Sequence, residues 1–261
     1  MRVPYNSSLS QMNIFLKNLN EYLDSGTYCD LTFEIGCEKF PCHRIILASS
    51  SPYFQVLLTH AFKENSLNSI ELHDIEPQTF SSLLHYIYSG QIELDETNVQ
   101  EILIASDRFQ LDEVVKFCCH YLSISLNEKN VLDVWKIANG LECLSLKDDA
   151  ENYILTHFRS LIKLDTIKLF PQDLLSKIIS NDDLIVDDEQ QVFEAILMWY
   201  INNHEKTSEQ LFDNIRFEYI SKEHQRMILN QIAHVCIEFV LLFEKIILYY
   251  FLDKSIDDSS Y

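Results

Sequence analysis

Residues 29–54, CDLTFEIGCEKFPCHRIILASSSPYF, decide the fold. Leu31, Phe33 and Ile35 alternate with Thr32 and Glu34, the period-two pattern of a half-buried strand. Gly36-Cys37 turns the chain, and Lys39-Phe40-Pro41-Cys42 returns as a partner strand. From His43 to Leu58 the pattern is helical, interrupted at Ser51-Pro52, where the serine caps and the proline opens a new helix.

Outward from this stretch the chain stays mixed on both sides. Before it, Met12, Phe15, Leu16, Leu19 and Leu23 recur at helical spacing, and Ser25-Gly26 stops that helix. After it, residues 63–69 are polar and loop-like, and Ile70-Glu71-Leu72 reads as a short strand. Glu76-Pro77 opens a helix carrying Phe80, Leu83, Leu84 and Ile87 on one face, which ends at Ser89-Gly90. Two more helices are predicted over 97–107 and 111–122. From Asn127 onward only helical stripes occur: Val131, Val134, Trp135 and Ala138; Leu146, Ala150, Tyr153 and Ile154; Leu174, Leu175 and Ile178; Val192, Phe193, Ile196 and Trp199. Further helices are predicted over 211–219 and 223–229. The fold class is therefore α+β, short strands flanked by helices, followed by an all-α stack.

Residues 232–252 are apolar over a length that suits a membrane span. Glu238, Glu244 and Lys245 lie inside the stretch, so a packed or self-associating helix is the better reading. The last residues, 257–261, read as a frayed end.

Composition removes several function classes. The 261 residues carry 40 acidic and 20 basic side chains, a net charge of −20, and both halves of the chain are acidic. That balance argues against nucleic acid, whose backbone needs clustered Lys and Arg. Four glycines leave no dinucleotide fingerprint, no phosphate loop and no β-propeller. Seven cysteines, an odd number with no Cys-x-x-Cys, suit a reduced intracellular protein, cytoplasmic or nuclear, rather than a disulfide framework or zinc site.

Chemistry is equally sparse. Asp148-Asp149, Asp182-Asp183 and Asp187-Asp188 sit at predicted helix starts or on polar faces, where capping and solvation account for them. Cys42-His43 and Cys118-Cys119-His120 are sequence neighbours, a spacing that does not share a helix face. Ser49-Ser50-Ser51 lacks the glycines of a nucleophile elbow. No catalytic residue, cofactor or metal site is expected.

Cys29-Asp30-Leu31, Phe40-Pro41-Cys42-His43-Arg44, Leu47-Ala48-Ser49-Ser50-Ser51-Pro52-Tyr53-Phe54, Phe62-Lys63-Glu64, Ile70-Glu71-Leu72 and Tyr86-Ile87-Tyr88-Ser89-Gly90 follow in an order that resembles a BTB (POZ) domain of the Kelch-like type over residues 9–125. Asn130-Val131-Leu132, Cys143-Leu144, Asp183-Leu184-Ile185-Val186, the run from Glu189 to Trp199, and Leu211 to Phe217 resemble the BACK domain over 126–230. Residues 231–261 form an apolar tail outside the resemblance.

The resemblance implies a non-catalytic, homodimeric substrate adaptor or modulator of cullin-3 ubiquitin ligases, pairing with itself or with another BTB protein. A BTB scaffold or transcriptional co-regulator without cullin is the rival reading. The helix of Met12, Phe15, Leu16, Leu19 and Leu23 would pack across the dimer, with an ordinary intrachain core stripe as the alternative. Asp30 and Arg44 match a charged pair that the family keeps near its dimer pocket, where a buried pair would specify geometry; a surface Asp at a strand start and a solvated Arg are the competing reading. Phe62 and Glu64 match a hydrophobic-x-Glu element that contacts cullin-3, and Tyr53, Phe54 and Tyr88 match neighbouring contact positions. Some residues of the helix that carries Tyr53 and Phe54 must nevertheless face the core, and a core role for Tyr88 is the competing reading. The substrate-reading propeller of such proteins is expected to be missing from these residues.

Overall fold

The computed structural model describes residues 8–61, 68–203, 211, 214–216 and 220. The element order is α1 (Ser8–Ser25), β1 (Leu31–Ile35), β2 (Glu38–Cys42), α2 (Arg44–Ser50), α3 (Pro52–Ala61), β3 (Ser69–Glu71), α4 (Pro77–Ser89), α5 (Val99–Arg108), α6 (Asp112–Ile124), α7 (Val131–Gly140), α8 (Leu144–Lys163), a 3₁₀ turn (Thr166–Leu169), α9 (Gln172–Ile179) and α10 (Glu189–Asn202). The chain divides into two compact units. The first comprises residues 1–126 and 133–149; the second comprises 127–132 and the chain from Ala150 onward.

In the first unit three strands form one sheet in the order β2-β1-β3. β1 runs antiparallel to β2, with Leu31 opposite Cys42 and Ile35 opposite Glu38, and parallel to β3, with Thr32 opposite Ser69. The alternation read from sequence is realised: Leu31, Phe33 and Ile35 are buried while Thr32 and Glu34 are half-buried. The tight turn between β1 and β2 needs Gly36, whose φ of +58° strains any other L residue. Pro41 is tolerated because β2 lies at the sheet's edge. The parallel partner β3 requires a crossover, which α2 and α3 supply.

Ser51 breaks the helical run as its sequence implies. Its backbone is extended (φ −156°, ψ 154°), its hydroxyl accepts the Phe54 N–H at 3.2 Å, and Pro52 opens α3. Around the sheet, Phe33, Phe54, Phe80 and Phe109 interlock, with Phe33–Phe80 centroids at 5.3 Å and Phe54–Phe109 at 5.1 Å. All four are fully buried. Each contributes on the order of 2 kcal/mol through apolar burial, so this cluster anchors the unit.

The second unit contains helices and no strand among its described residues. Trp199 of α10 is buried and donates its Nε1–H to the Phe170 carbonyl at 2.8 Å, a core role as its place in the apolar stripe implies. Asp188 caps α10, accepting the Gln191 N–H at 3.1 Å. Asp187 pairs with Arg159, and Asp182 with Arg216. Glu151, only 6% exposed, is matched by Lys177. Asp187 and Asp188 thus serve the start of α10, by an ion pair and a cap, and Asp182 and Glu151 serve ion pairs. Most of the helices expected over 211–219 and 223–229, together with the tail from 231, fall outside the described residues. Among the described residues no helix is long and apolar enough to cross a membrane.

Candidate protein-binding surface

The surface candidates belong to the first unit and begin with α1. At about 100° per residue, Leu16, Leu19, Asn20 and Leu23 share one arc of this helix, and Ile14, Phe15 and Tyr22 the neighbouring arc. The first arc faces inward: Leu19 and Leu23 pack on the core, and Asn20 Nδ2 donates to the Tyr88 carbonyl at 3.2 Å. The second faces outward, with Ile14 61% and Phe15 56% exposed. Tyr28, also exposed, sets its ring edge-on to Tyr22 at a 5.3 Å centroid distance.

The expected single dimer stripe is therefore split. Leu19 and Leu23 are largely intrachain residues, Leu16 is half-buried and Phe15 is open. Met12 lies in α1, with its side chain outside the described residues. Ile14, Tyr22 and Tyr28 complete the open apolar strip, and sequence reading missed them. The spacing signal for a helix face was present at 14, 15 and 22, but a neighbouring arc satisfied the same periodicity.

Asp30 and Arg44 are joined, but not as the buried charged pair expected. Asp30 Oδ1 accepts the Arg44 backbone N–H at 2.8 Å, and Arg44 Nε donates to the Asp30 carbonyl at 3.2 Å, both at the surface. The carboxylate thus satisfies the first amide of α2, a group that helix geometry leaves without an intrahelical partner. Asp30 also holds the strand end through its own N–H, which donates to the Cys42 carbonyl at 3.1 Å.

Beneath the cap lies a buried polar chain. His43 N–H donates to the Tyr88 hydroxyl at 2.9 Å, His43 Nδ1 lies 2.8 Å from the same hydroxyl, and Nε2 lies 2.9 Å from the Thr27 carbonyl. A carbonyl only accepts, which places the proton of a neutral His43 on Nε2. Tyr88 O–H then donates to Nδ1, and every polar atom of the chain has a partner. Burial holds the Tyr88 phenol above its ordinary value.

Two expected contact residues are corrected by this geometry. Tyr88 and Phe54 are both 0% exposed, so neither side chain can meet a partner. Tyr88 is held by the His43 chain, and Phe54 by Phe33 and Phe109. Tyr53 is half-buried, its ring 5.2 Å from that of Phe109, which leaves one edge at the surface beside exposed Val56. Phe62 and Glu64 lie outside the described residues.

Cys42 and Cys118, the two buried thiols of this unit, are poor nucleophiles. Burial pushes Cys42 and Cys118 each up to about 12, and the Cys42 thiol is directed at the Leu31 carbonyl at 3.6 Å. Among the described residues no group of three or more His, Cys, Asp or Glu is poised to hold a metal. An open cleft of about 340 Å³ lies between α4 and α5, lined by Asp74, Glu76, Thr79, Glu101, Ile104 and Arg108 among others. Thr79 donates to Glu101 at 3.0 Å and Arg108 Nη1 to the His73 carbonyl at 2.8 Å, so its polar groups serve local structure. No expected contact residue lines it.

Comparison with known proteins adds two matches and a set of relatives. The family profile "BTB/POZ domain" matches residues 19–126, and "BTB And C-terminal Kelch" matches residues 131–230. Kelch-like protein 40 of Xenopus tropicalis is 31% identical over 219 residues, covering 83% of this chain and 36% of its own length. Kelch-like protein 41 of Homo sapiens is 32% identical over 220 residues, with the same coverage of 83% and 36%. Kelch-like protein 41b of Danio rerio is 34% identical over 224 residues, covering 84% of this chain and 37% of its own. The chain spans about a third of the length of these relatives.

Proposed function

The chain belongs to the BTB–BACK proteins of the Kelch-like family, and on that premise we propose that it is a dimeric, non-catalytic adaptor or modulator of a cullin-3 ubiquitin ligase. The observation that carries the reading is the succession of a BTB domain and a BACK domain along one chain. The open apolar strip of α1 supports the dimer. Ile14, Phe15, Tyr22 and Tyr28 are exposed apolar side chains of the kind a two-fold interface buries against its own copy, and Tyr22 and Tyr28 meet edge to face.

Cullin-3 would dock beside α3. Phe62 and Glu64 would serve as an apolar anchor and an acid, and half-buried Tyr53 and exposed Val56 supply apolar surface on α3. Phe54 and Tyr88 are buried instead: Phe54 anchors α3 on Phe33 and Phe109, and Tyr88 holds His43. With four glycines the 261 residues hold no Kelch propeller, so within this chain any substrate would be read by BACK or by the apolar tail.

Two experiments test the reading. Cullin-3 is recovered with the tagged wild-type chain, and recovery falls with Phe62→Ala plus Glu64→Ala. Undiminished recovery sinks the residue assignment, and no recovery from the wild type leaves a scaffold without cullin. Reconstituted ubiquitination of a Kelch-like adaptor's substrate, with and without this chain, then distinguishes an adaptor from a form that occupies cullin-3 and restrains it.

A further inference from the structure

In the second unit α9 and α10 are joined by residues 180–188, which hold no helix or strand. Ser180 opens this link as the C-cap of α9. It is exposed, and its hydroxyl donates to the Lys177 carbonyl at 3.2 Å. Asn181-Asp182-Asp183 follows it. The Asp182 side chain is 90% exposed where it meets Arg216. Asp183 is exposed; among the described residues its N–H donates to Asn181 Oδ1 at 2.9 Å and its carboxylate is free. Thr27, Ser125 and Ser145 also precede an acid by three residues, but their settings differ. Asp30 after Thr27 accepts the first amide of α2, Ser125 is half-buried, and Ser145 and Asp148 lie inside α8.

We propose that Ser180 is a phosphorylation site for a serine kinase with a basic substrate cleft, and that the phosphate loosens the end of α9. Carboxylates two and three residues after the serine give such a cleft two charge-assisted contacts. The link that carries them already lies outside both helices. The Asp182–Arg216 pair is at the surface, where water screens it, so it yields readily to a denser set of cations. In the transfer, Ser180 Oγ attacks the γ-phosphorus of ATP and the bond from that phosphorus to the β,γ-bridging oxygen breaks. ADP leaves with the bond pair, and the hydroxyl proton passes to the kinase's base. Phosphoserine carries a charge of about −1.5 to −2 at neutral pH. At Ser180 that charge meets the negative end of the α9 dipole and the carboxylates of Asp182 and Asp183. The hydroxyl also ceases to donate to the Lys177 carbonyl. Lys177, three residues back on α9, pairs with Glu151 of α8. A phosphate at Ser180 competes for that cation, and so draws on a contact that ties α9 to α8.

The test treats the folded full chain with casein kinase 2, a kinase of this class, and magnesium ATP, and maps peptides by mass. A peptide covering residue 180 and heavier by one phosphate is expected. It should be lost in Ser180→Ala and form about tenfold more slowly in Asp183→Lys, as loss of a charge-assisted contact implies. Residue 180 recovered unmodified while a control peptide substrate is phosphorylated, or a rate unchanged by Asp183→Lys, overturns the site. Hydrogen exchange of the phosphorylated and unmodified chains then reads α9. Faster exchange over residues 176–181 is expected, and equal exchange overturns the loosening. The wild-type map and its exchange decide alone if a variant does not fold.

Discussion

The Tyr88 hydroxyl meets His43 twice, accepting its backbone N–H at 2.9 Å and facing its Nδ1 at 2.8 Å. One phenol on α4 thereby fixes the residue that opens α2, and through Nε2 the loop at Thr27. Tyr88→Phe keeps the ring and removes the oxygen, leaving two buried polar atoms unpaired at a cost of about 1–3 kcal/mol. Urea unfolding should show a lower midpoint with an unchanged slope. An unchanged midpoint would mean that water replaces the hydroxyl.

Asp30 acts as an acceptor for the first amide of α2, so its charge should matter less than its oxygen. Asp30→Asn retains an acceptor and should stay within a few tenths of a kcal/mol of wild type, whereas Asp30→Ala should lose about 1 kcal/mol. Thermal unfolding of the two variants checks this. Equal losses would restore the charged-pair reading.

On α1 the two arcs should separate cleanly. Phe15→Glu with Ile14→Asp should convert a dimer to a monomer by light scattering, with little change in the fold measured by circular dichroism. Leu23→Ala, on the inner arc, should destabilise the folded unit by about 1–2 kcal/mol, less than a fully buried leucine costs because Leu23 is half-buried. A monomer from the inner-arc variant alone would reverse the assignment.

Alkaline pH should weaken the first unit. Cys42 and Cys118 hold their protons to about 12 in the folded chain against an ordinary value of 9.0. The unfolded chain therefore loses protons first as pH rises above 9.0, and stability falls from there toward the folded value. The slope is at most about 1.4 kcal/mol per pH unit for each thiol. Melting followed from pH 8 to pH 10 should show the decline, and Cys118→Ala should make it shallower.

Much of the fold was legible because it rests on local chemistry. The β1 alternation, the Gly36 turn, the Ser51-Pro52 break and the Asp188 cap are each decided within a few residues. The surface was less legible because direction depends on distant partners. Periodicity marked α1 as amphipathic, yet only its packing on the core shows that Leu19 turns in and Ile14 out. Phe54 and Tyr88 stand next to surface positions in sequence, and contacts from β1, α5 and His43 draw them inside. Asp30 and Arg44 are correctly paired by the resemblance, but through backbone atoms that residue type does not reveal.

The proposed binding of cullin-3 by a dimer of this BTB–BACK chain is tested most directly by calorimetric titration of the purified chain with the cullin-3 N-terminal domain. Saturable binding is predicted, weakened roughly tenfold or more by Phe62→Ala plus Glu64→Ala, as loss of a hot-spot residue implies. Absence of heat, together with separate elution of the two proteins on a sizing column, would contradict it.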